Sequence, residues 1–177
     1  MKKLFVLAAV SATGLAGLHA QSTPIQLSLT PDIALHSRDT MVQGFSLGIW
    51  SENPQQSFTL GIVNGSTGNS GGFSWGIVNY SENYTGVQWG CVNVSKGDFI
   101  GWQRAYVNVS LGTFEGFQLG AVNVSMQTTG FQLGAFNYAQ SLRGLQIGFV
   151  NIAANNPWFT EFPDKLATGF PIVNWSF

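Results

Sequence analysis

A short unit rich in glycine and amide side chains recurs along most of this chain, and its period constrains the fold more than any other feature. One copy, GFQLGAVNVS, spans residues 116–125. The units begin at residues 44, 57, 72, 86, 101, 116, 130 and 144, which gives a period of 13 to 15 residues. Self-similarity at a fixed period indicates an array of supersecondary units, so each residue is interpreted through its place in the unit.

The unit predicts β-strands. Most copies carry two glycines four residues apart, with β-branched or aromatic residues between and after them. Each glycine costs a helix about 1 kcal/mol relative to alanine, whereas Val, Ile, Phe, Trp and Tyr suit a pleated sheet. We therefore expect an all-β repeat protein.

Alternation along the strand separates two kinds of side chain. In the copy that begins at Gly86, one face receives the glycines and Gln88, and the other receives Val87, Trp89 and Cys91. A sheet with one face in water normally alternates apolar with polar or charged residues. Here neither face carries charge, and two architectures fit the pattern.

The first architecture is a ten-stranded antiparallel outer-membrane β-barrel. A strand at Ile25–Thr30, ended by a turn at Pro31-Asp32, joins the eight units and a closing copy at Ala167–Phe177 to give an even number of strands. The bulky face would meet lipid and the Gly/Gln face would line a narrow lumen. The partners would be outer-membrane lipid and the barrel-assembly machinery, because the aromatic end at Phe177 resembles an assembly signal.

The second architecture is a parallel β-solenoid with one unit per coil. Glycine would turn the corners, and the bulky residues would stack in the core. The repeated asparagines would form a ladder along the axis: Asn64, Asn79, Asn93, Asn108, Asn123, Asn137 and Asn151.

The N-terminus predicts export. Residues 1–20 read as a signal peptide, with Lys2 and Lys3 before an apolar stretch at Leu4–Leu18 and a small residue at Ala20. The remaining 21–177 form a single β-repeat domain with units from 44 to 153 and a closing strand at 167–177. We expect the bacterial outer membrane or cell surface.

With these repeats laid out, the chain resembles the bacterial surface repeat-containing proteins, whose unit is G-[LVF]-Q-x-G-x-[VF]-N. The resemblance covers Gly44 to Ala153, and the IQLSLTPD opening and PIVNWSF ending are similar too. It implies an exported, surface-associated protein without an established activity, so it carries over no catalytic residue. The chain departs from the pattern at Arg104-Ala105 and in its first two units, which lack Gln.

Composition argues against several functions. Charged residues make up 8% of the chain and the net charge is −1, so no basic cluster exists to bind nucleic acid. His36 lies near Asp32 and Asp39, but such a group is typical of solvated turns. Cys91 fills a variable apolar position of the unit. We assign no catalytic, cofactor-binding or metal-binding residue and expect no enzymatic activity.

The repeated asparagines also create N-x-[ST] sequons, which we interpret as structural rather than as glycosylation sites. They fall at Asn64, Asn79, Asn83, Asn93, Asn108, Asn123 and Asn174. Arg104 replaces the bulky residue of other units, and we interpret it as a snorkelling side chain.

The expected function is that of a structural surface or outer-membrane protein, or a narrow channel. The alternative is a secreted or surface-attached β-solenoid that binds a partner.

Overall fold

The computed structural model describes residues 22–177, and these fold as a parallel β-solenoid. The prediction of an all-β repeat fold is confirmed. The predicted signal peptide lies outside the described residues. In chain order the strands are β1 Ser22–Thr30, β2 Ile33–Ala34, β3 Met41–Asn53, β4 Gln56–Trp89, β5 Val92–Ser95, β6 Phe99–Arg104, β7 Val107–Leu119, β8 Val122–Leu133, β9 Phe136–Ala153 and β10 Gly169–Ser176.

Successive coils run parallel, and each residue lies beside its equivalent in the next unit. Between β7 and β8, Gly116 pairs with Gly130 and Gln118 pairs with Gln132. The same register continues from β8 to β9. The ten-stranded antiparallel barrel is therefore wrong, and the alternative, a parallel β-solenoid, is confirmed. Parallel stacking places identical amides side by side, where each can donate to the next.

One coil consists of three segments, illustrated here by the unit that begins at Gly116. The first segment runs from Gly116 to Leu119 and ends in a bend at residues 120 and 121. The second segment, Val122–Ser125, continues into the third segment at residues 126–129. At Gly116 φ is +135°, and an added Cβ would lie 2.0 Å from the carbonyl oxygen of Gly101. Only glycine fits this close approach between coils.

The interior is largely polar, which overturns one expectation about the solenoid. The bulky residues were predicted to stack in the core, but they point outward, and the amides point inward. Gln118 and Asn123 are completely buried. An amide row inside a narrow coil satisfies its own hydrogen bonds along the axis, so burial leaves few polar groups unpaired.

Apolar packing inside the coils is confined to small groups. Tyr84, Phe99 and Phe114 stack with ring centroids 5.7 and 5.6 Å apart, and all three are buried. Farther along the same inward row, Leu142 packs with Ala139 and Ala153. Hydrophobic burial inside the solenoid is thus limited to the side near the third segment.

Both ends of the stack are covered. At the start, β1 adds one parallel strand to β3 and carries the short antiparallel β2. The predicted turn at Pro31-Asp32 separates them. At the other end, β10 lies antiparallel on β9, within the closing segment 167–177. These strands pair with the first and last coils, whose unpaired backbone groups could otherwise pair with another chain.

Candidate binding surface

Bulky side chains of the first segment form two exposed rows, which we call the first apolar side. In β7 and β8 these are Phe117 beside Phe131 and Leu119 beside Leu133. Aromatic rings stack along the rows, with Trp75 and Trp89 at 6.1 Å between centroids. The side chain of Trp75 remains 54% exposed. The two rows consist of Phe45, Phe58, Phe73, Val87, Trp102, Phe117, Phe131 and Leu145, and of Leu47, Leu60, Trp75, Trp89, Arg104, Leu119, Leu133 and Ile147.

The outward residues of the second segment form a second apolar side. Val122 and Val124 lie beside Phe136 and Tyr138 of the next coil. Between the two sides the chain bends, and the residues at that bend form what we call the corner row. Phe149 in this row is 81% exposed and Tyr106 is 71% exposed. The corner row consists of Ile49, Ile62, Ile77, Cys91, Tyr106, Ala121, Ala135 and Phe149.

Charge is concentrated on the third segment, which we call the polar side, although Ile100, Leu111 and Met126 are also exposed there. Among the described residues, the two apolar sides and the corner row carry two charged groups, Arg104 and Glu52. The charged residues of the polar side are Glu82, Lys96, Asp98, Glu115 and Arg143. The exterior of the solenoid is therefore amphipathic around its circumference, with two apolar sides and one side that carries most of the charge.

Arg104 rests on an aromatic ring. Its guanidinium carbon lies 4.2 Å from the ring centroid of Trp89 in the preceding coil, a cation–π contact. The neighbouring Ala105 occupies the place of a glycine in other units. At the equivalent Gly90, an added Cβ would lie 2.8 Å from Asn79 Nδ2. The methyl group of Ala105 thus competes for space with the side-chain amide of Asn93.

The hydrogen bonds of the asparagine ladder differ where Asn93 faces Ala105. In most coils the asparagine donates both to the next asparagine and to the carbonyl of the residue before the glycine, as Asn79 does to Trp89 at 3.1 Å. Asn93 faces Ala105 and instead donates to the carbonyl of Gln88 at 3.0 Å. It keeps its bond to Asn108 at 3.0 Å. The departure at Arg104-Ala105 therefore changes one hydrogen bond and leaves the ladder continuous.

Two amide rows hold the coils together internally. The predicted asparagine ladder is confirmed, with amide-to-amide distances of 2.8 to 3.0 Å. Gln88, Gln103, Gln118, Gln132 and Gln146 form a second row with distances of 2.7 to 3.2 Å. Six of the seven sequon asparagines are fully buried, and Asn83 is the exception. Folded coils thus shield six of the seven amides.

His36, Asp32 and Asp39 do not form a shared site. His36 Nε2 lies 3.0 Å from the hydroxyl of Thr23, while Asp32 contacts Arg38 at 3.6 Å. Among residues 22–177 no group of three His, Cys, Asp or Glu side chains is placed to hold a metal ion. Cys91 is half-buried in the corner row.

A polar cluster crosses the first coils of the second apolar side. The hydroxyl of Tyr80 hydrogen-bonds Glu52 and accepts from Trp50 Nε1 at 3.0 Å. Burial, with the hydrogen bond to Glu52, raises the pKa of Tyr80 to about 12 from 10.0. Tyr80 is therefore neutral at physiological pH and donates a hydrogen bond to the carboxylate of Glu52. The hydrogen bond from Tyr80 and an ion pair with Arg38 at 3.7 Å stabilise the charged Glu52 on the apolar side.

The fold and this surface define a class of protein, a β-solenoid with an amide core and two apolar sides. No family model, curated protein or solved structure matches the chain. In the part of the chain described, no helix has the length and apolar character needed to span a membrane. The corner row is the feature that sequence reasoning missed. Its signal was the variable residue after the second glycine, or after Ala105 in the unit that lacks it, which is apolar in seven of the eight units and tyrosine in the other.

Proposed function

We propose that the protein is an exported, non-enzymatic surface β-solenoid that docks through its apolar exterior, which consists of the two apolar sides and the corner row. The observation that carries the proposal is the continuity of the two apolar sides and the corner row across eight coils. Exposed apolar patches on monomeric soluble proteins seldom exceed a few hundred Å², and larger ones mark sites of protein or membrane interaction. Export rests on the N-terminal sequence, and surface association on the family resemblance.

The interior gives no support to the channel version of this proposal. Gln118 and Asn123 are completely buried and hydrogen-bonded to their counterparts in adjacent coils. Buried, paired amides leave no aqueous path along the axis. The function therefore belongs to the outside of the solenoid.

Cell fractionation of a bacterial host that produces the full chain tests the proposal. We expect the processed protein, with an N-terminus near Gln21, in the envelope fraction. Ile77→Glu places a charge in the corner row and should release protein into the soluble periplasmic or medium fraction. Gln127→Glu adds the same charge on the polar side and serves as the matched control. Unprocessed cytoplasmic protein, or identical fractionation of both variants, would contradict the proposal.

A further inference from the structure

We infer that the apolar exterior binds a phospholipid surface. In this arrangement the solenoid lies along the surface, the corner row enters the lipid, and Arg104 contacts lipid phosphate. The inference rests on the proposed function and names the partner for the same surface.

The shape of the apolar exterior favours lipid over a second copy of the chain. Two apolar sides meet at the corner row, and the most exposed large side chains of these coils, Phe149 and Tyr106, lie on that edge. A flat face of another solenoid would cover one side and leave the other side and the corner exposed. Fluid hydrocarbon adapts to an edge and covers both sides together.

The distribution of charge matches an interfacial orientation. With the corner row pointing into lipid, the third segment lies on the opposite side of the coil, where Glu115, Lys96 and Arg143 remain in water. An amphipathic helix at a membrane surface has this same division between an apolar and a charged face. Here the division runs around a coil instead of around a helix.

The backbone is also suited to lipid. In a bilayer, backbone N–H and C=O groups must be paired within the protein. The coils pair theirs with adjacent coils, as between β7 and β8, and the end strands β1, β2 and β10 cover the first and last coils. The sides that would enter lipid therefore present side chains rather than unpaired backbone groups.

Arg104 lies at the depth expected for the phosphate layer. It precedes Tyr106 of the corner row by two residues across the bend, so the two Cα atoms lie at most about 7 Å apart. Apolar faces of interfacial proteins enter the boundary between headgroups and acyl chains by about 5–10 Å. With Tyr106 at the deep end, the exposed guanidinium on the Trp89 ring reaches the headgroups, where it can donate to phosphate.

Flotation of the purified full chain with phosphatidylcholine vesicles tests lipid binding, with light scattering in buffer to measure the oligomeric state. We expect the wild type to float with the vesicles. Phe149→Glu should weaken binding at least tenfold, whereas Gln127→Glu should leave it unchanged. Far-UV circular dichroism establishes that each variant is folded.

The outcomes separate this inference from the proposed function. One outcome is that the protein stays in the aqueous fraction and forms dimers, and that Phe149→Glu disrupts these dimers. This result would overturn the lipid inference but keep the docking surface, which would then bind a second copy of the chain. Protein that neither floats nor associates would overturn the lipid inference. If Ile77→Glu also left cell fractionation unchanged, the proposed function would fail as well.

A second comparison isolates the phosphate contact. Arg104→Gln should weaken binding to phosphatidylcholine vesicles about threefold and leave binding to dodecyl maltoside micelles, which carry no phosphate, unchanged. An equal loss on both surfaces, or no loss on either, would overturn the assignment of Arg104 to lipid phosphate.

Discussion

At the scale of single residues, each asparagine between the two ends of the ladder donates to one neighbouring asparagine and accepts from the other. Asn123 accepts from Asn108 at 2.9 Å and donates to Asn137 at 2.8 Å and to the carbonyl of Leu133 at 3.0 Å. Removing one amide therefore leaves buried groups on both adjacent coils without their partners. Such groups cost about 1–3 kcal/mol each.

We expect Asn123→Ala to lower the free energy of unfolding by about 2–4 kcal/mol, because two coils lose amide bonds in a buried interior. Urea denaturation followed by circular dichroism measures the change. Asn69→Ala removes an amide that is exposed and should cost less than about 0.5 kcal/mol. Equal effects of the two substitutions would contradict a ladder that stabilises the fold.

Glycine has a second role at the residue scale, where coils touch backbone to backbone. Gly116→Ala combines a φ of +135° with a clash against the Gly101 carbonyl, so we expect a loss of about 3 kcal/mol or more. Gly68 also has a positive φ, of +60°, but an added Cβ there meets no atom within 4 Å. Gly68→Ala should cost about 1–2 kcal/mol. Thermal unfolding of the two variants tests the order of these stability losses. A larger loss in Gly68→Ala than in Gly116→Ala would refute the close approach of Gly116 to the Gly101 carbonyl.

Tyr84 gives a pH-dependent test. Its hydroxyl is buried with no hydrogen-bond partner among the described residues, and burial raises the pKa of Tyr84 well above its usual 10.0. Above pH 10 the unfolded chain releases this proton while the folded chain keeps it, so the free energy of unfolding falls as pH rises. We expect Tyr84→Phe to stabilise the protein and to reduce this fall. Urea midpoints at pH 8 and pH 10.5 measure both effects, and a destabilised variant would contradict the account.

At the scale of elements, one repeat makes one coil. The two boundaries of the unit 116–129 fall at equivalent positions of successive coils, because Glu115 pairs with Thr129 and Gly116 pairs with Gly130. Joining Glu115 directly to Gly130 therefore closes the stack with the same amide and glycine rows. Solenoids tolerate such changes because each coil contacts only its neighbours.

We expect the deletion of residues 116–129 to leave a folded protein with a lower melting temperature. Deleting only residues 116–122 would place Asn123 where the coil needs a glycine, and this variant should not fold. Circular dichroism and thermal unfolding compare the two deletions. Loss of folding in the whole-unit deletion would argue against the stack of independent coils.

Sequence alone predicted the strands, the period and the two faces of each strand, and the solenoid alternative also predicted the asparagine ladder. It left open which face lies inside, because the barrel placed the bulky face outside and the solenoid placed it in the core. Val87 and Trp89 on one face and Gln88 on the other carry no charge, so hydropathy favours the bulky residues as the core. The structure reverses this because stacked amides such as Gln118 and Gln132 bond each other at 2.8 Å. Pairing of that kind depends on parallel register, which a single sequence does not reveal.

At the scale of the whole molecule, parallel register is what places amides inside and apolar rows outside. The docking surface depends on it, because an antiparallel barrel would distribute the same rows around a closed wall. In the solenoid, Leu119 lies beside Leu133 on the first apolar side, and Phe136 lies around the corner on the second. In an antiparallel hairpin turning at residues 127–128, Leu119 would lie opposite Phe136.

Disulfide formation between paired cysteines therefore tests the account most directly. In a background with Cys91→Ala, we compare Leu119→Cys/Leu133→Cys with Leu119→Cys/Phe136→Cys after mild oxidation, and identify cross-links by mass spectrometry. Parallel coils lie about 4.8 Å apart, within reach of a disulfide. We predict a cross-link in the first pair and none in the second. A cross-link in the second pair, with none in the first, would contradict the parallel solenoid and the surface built on it.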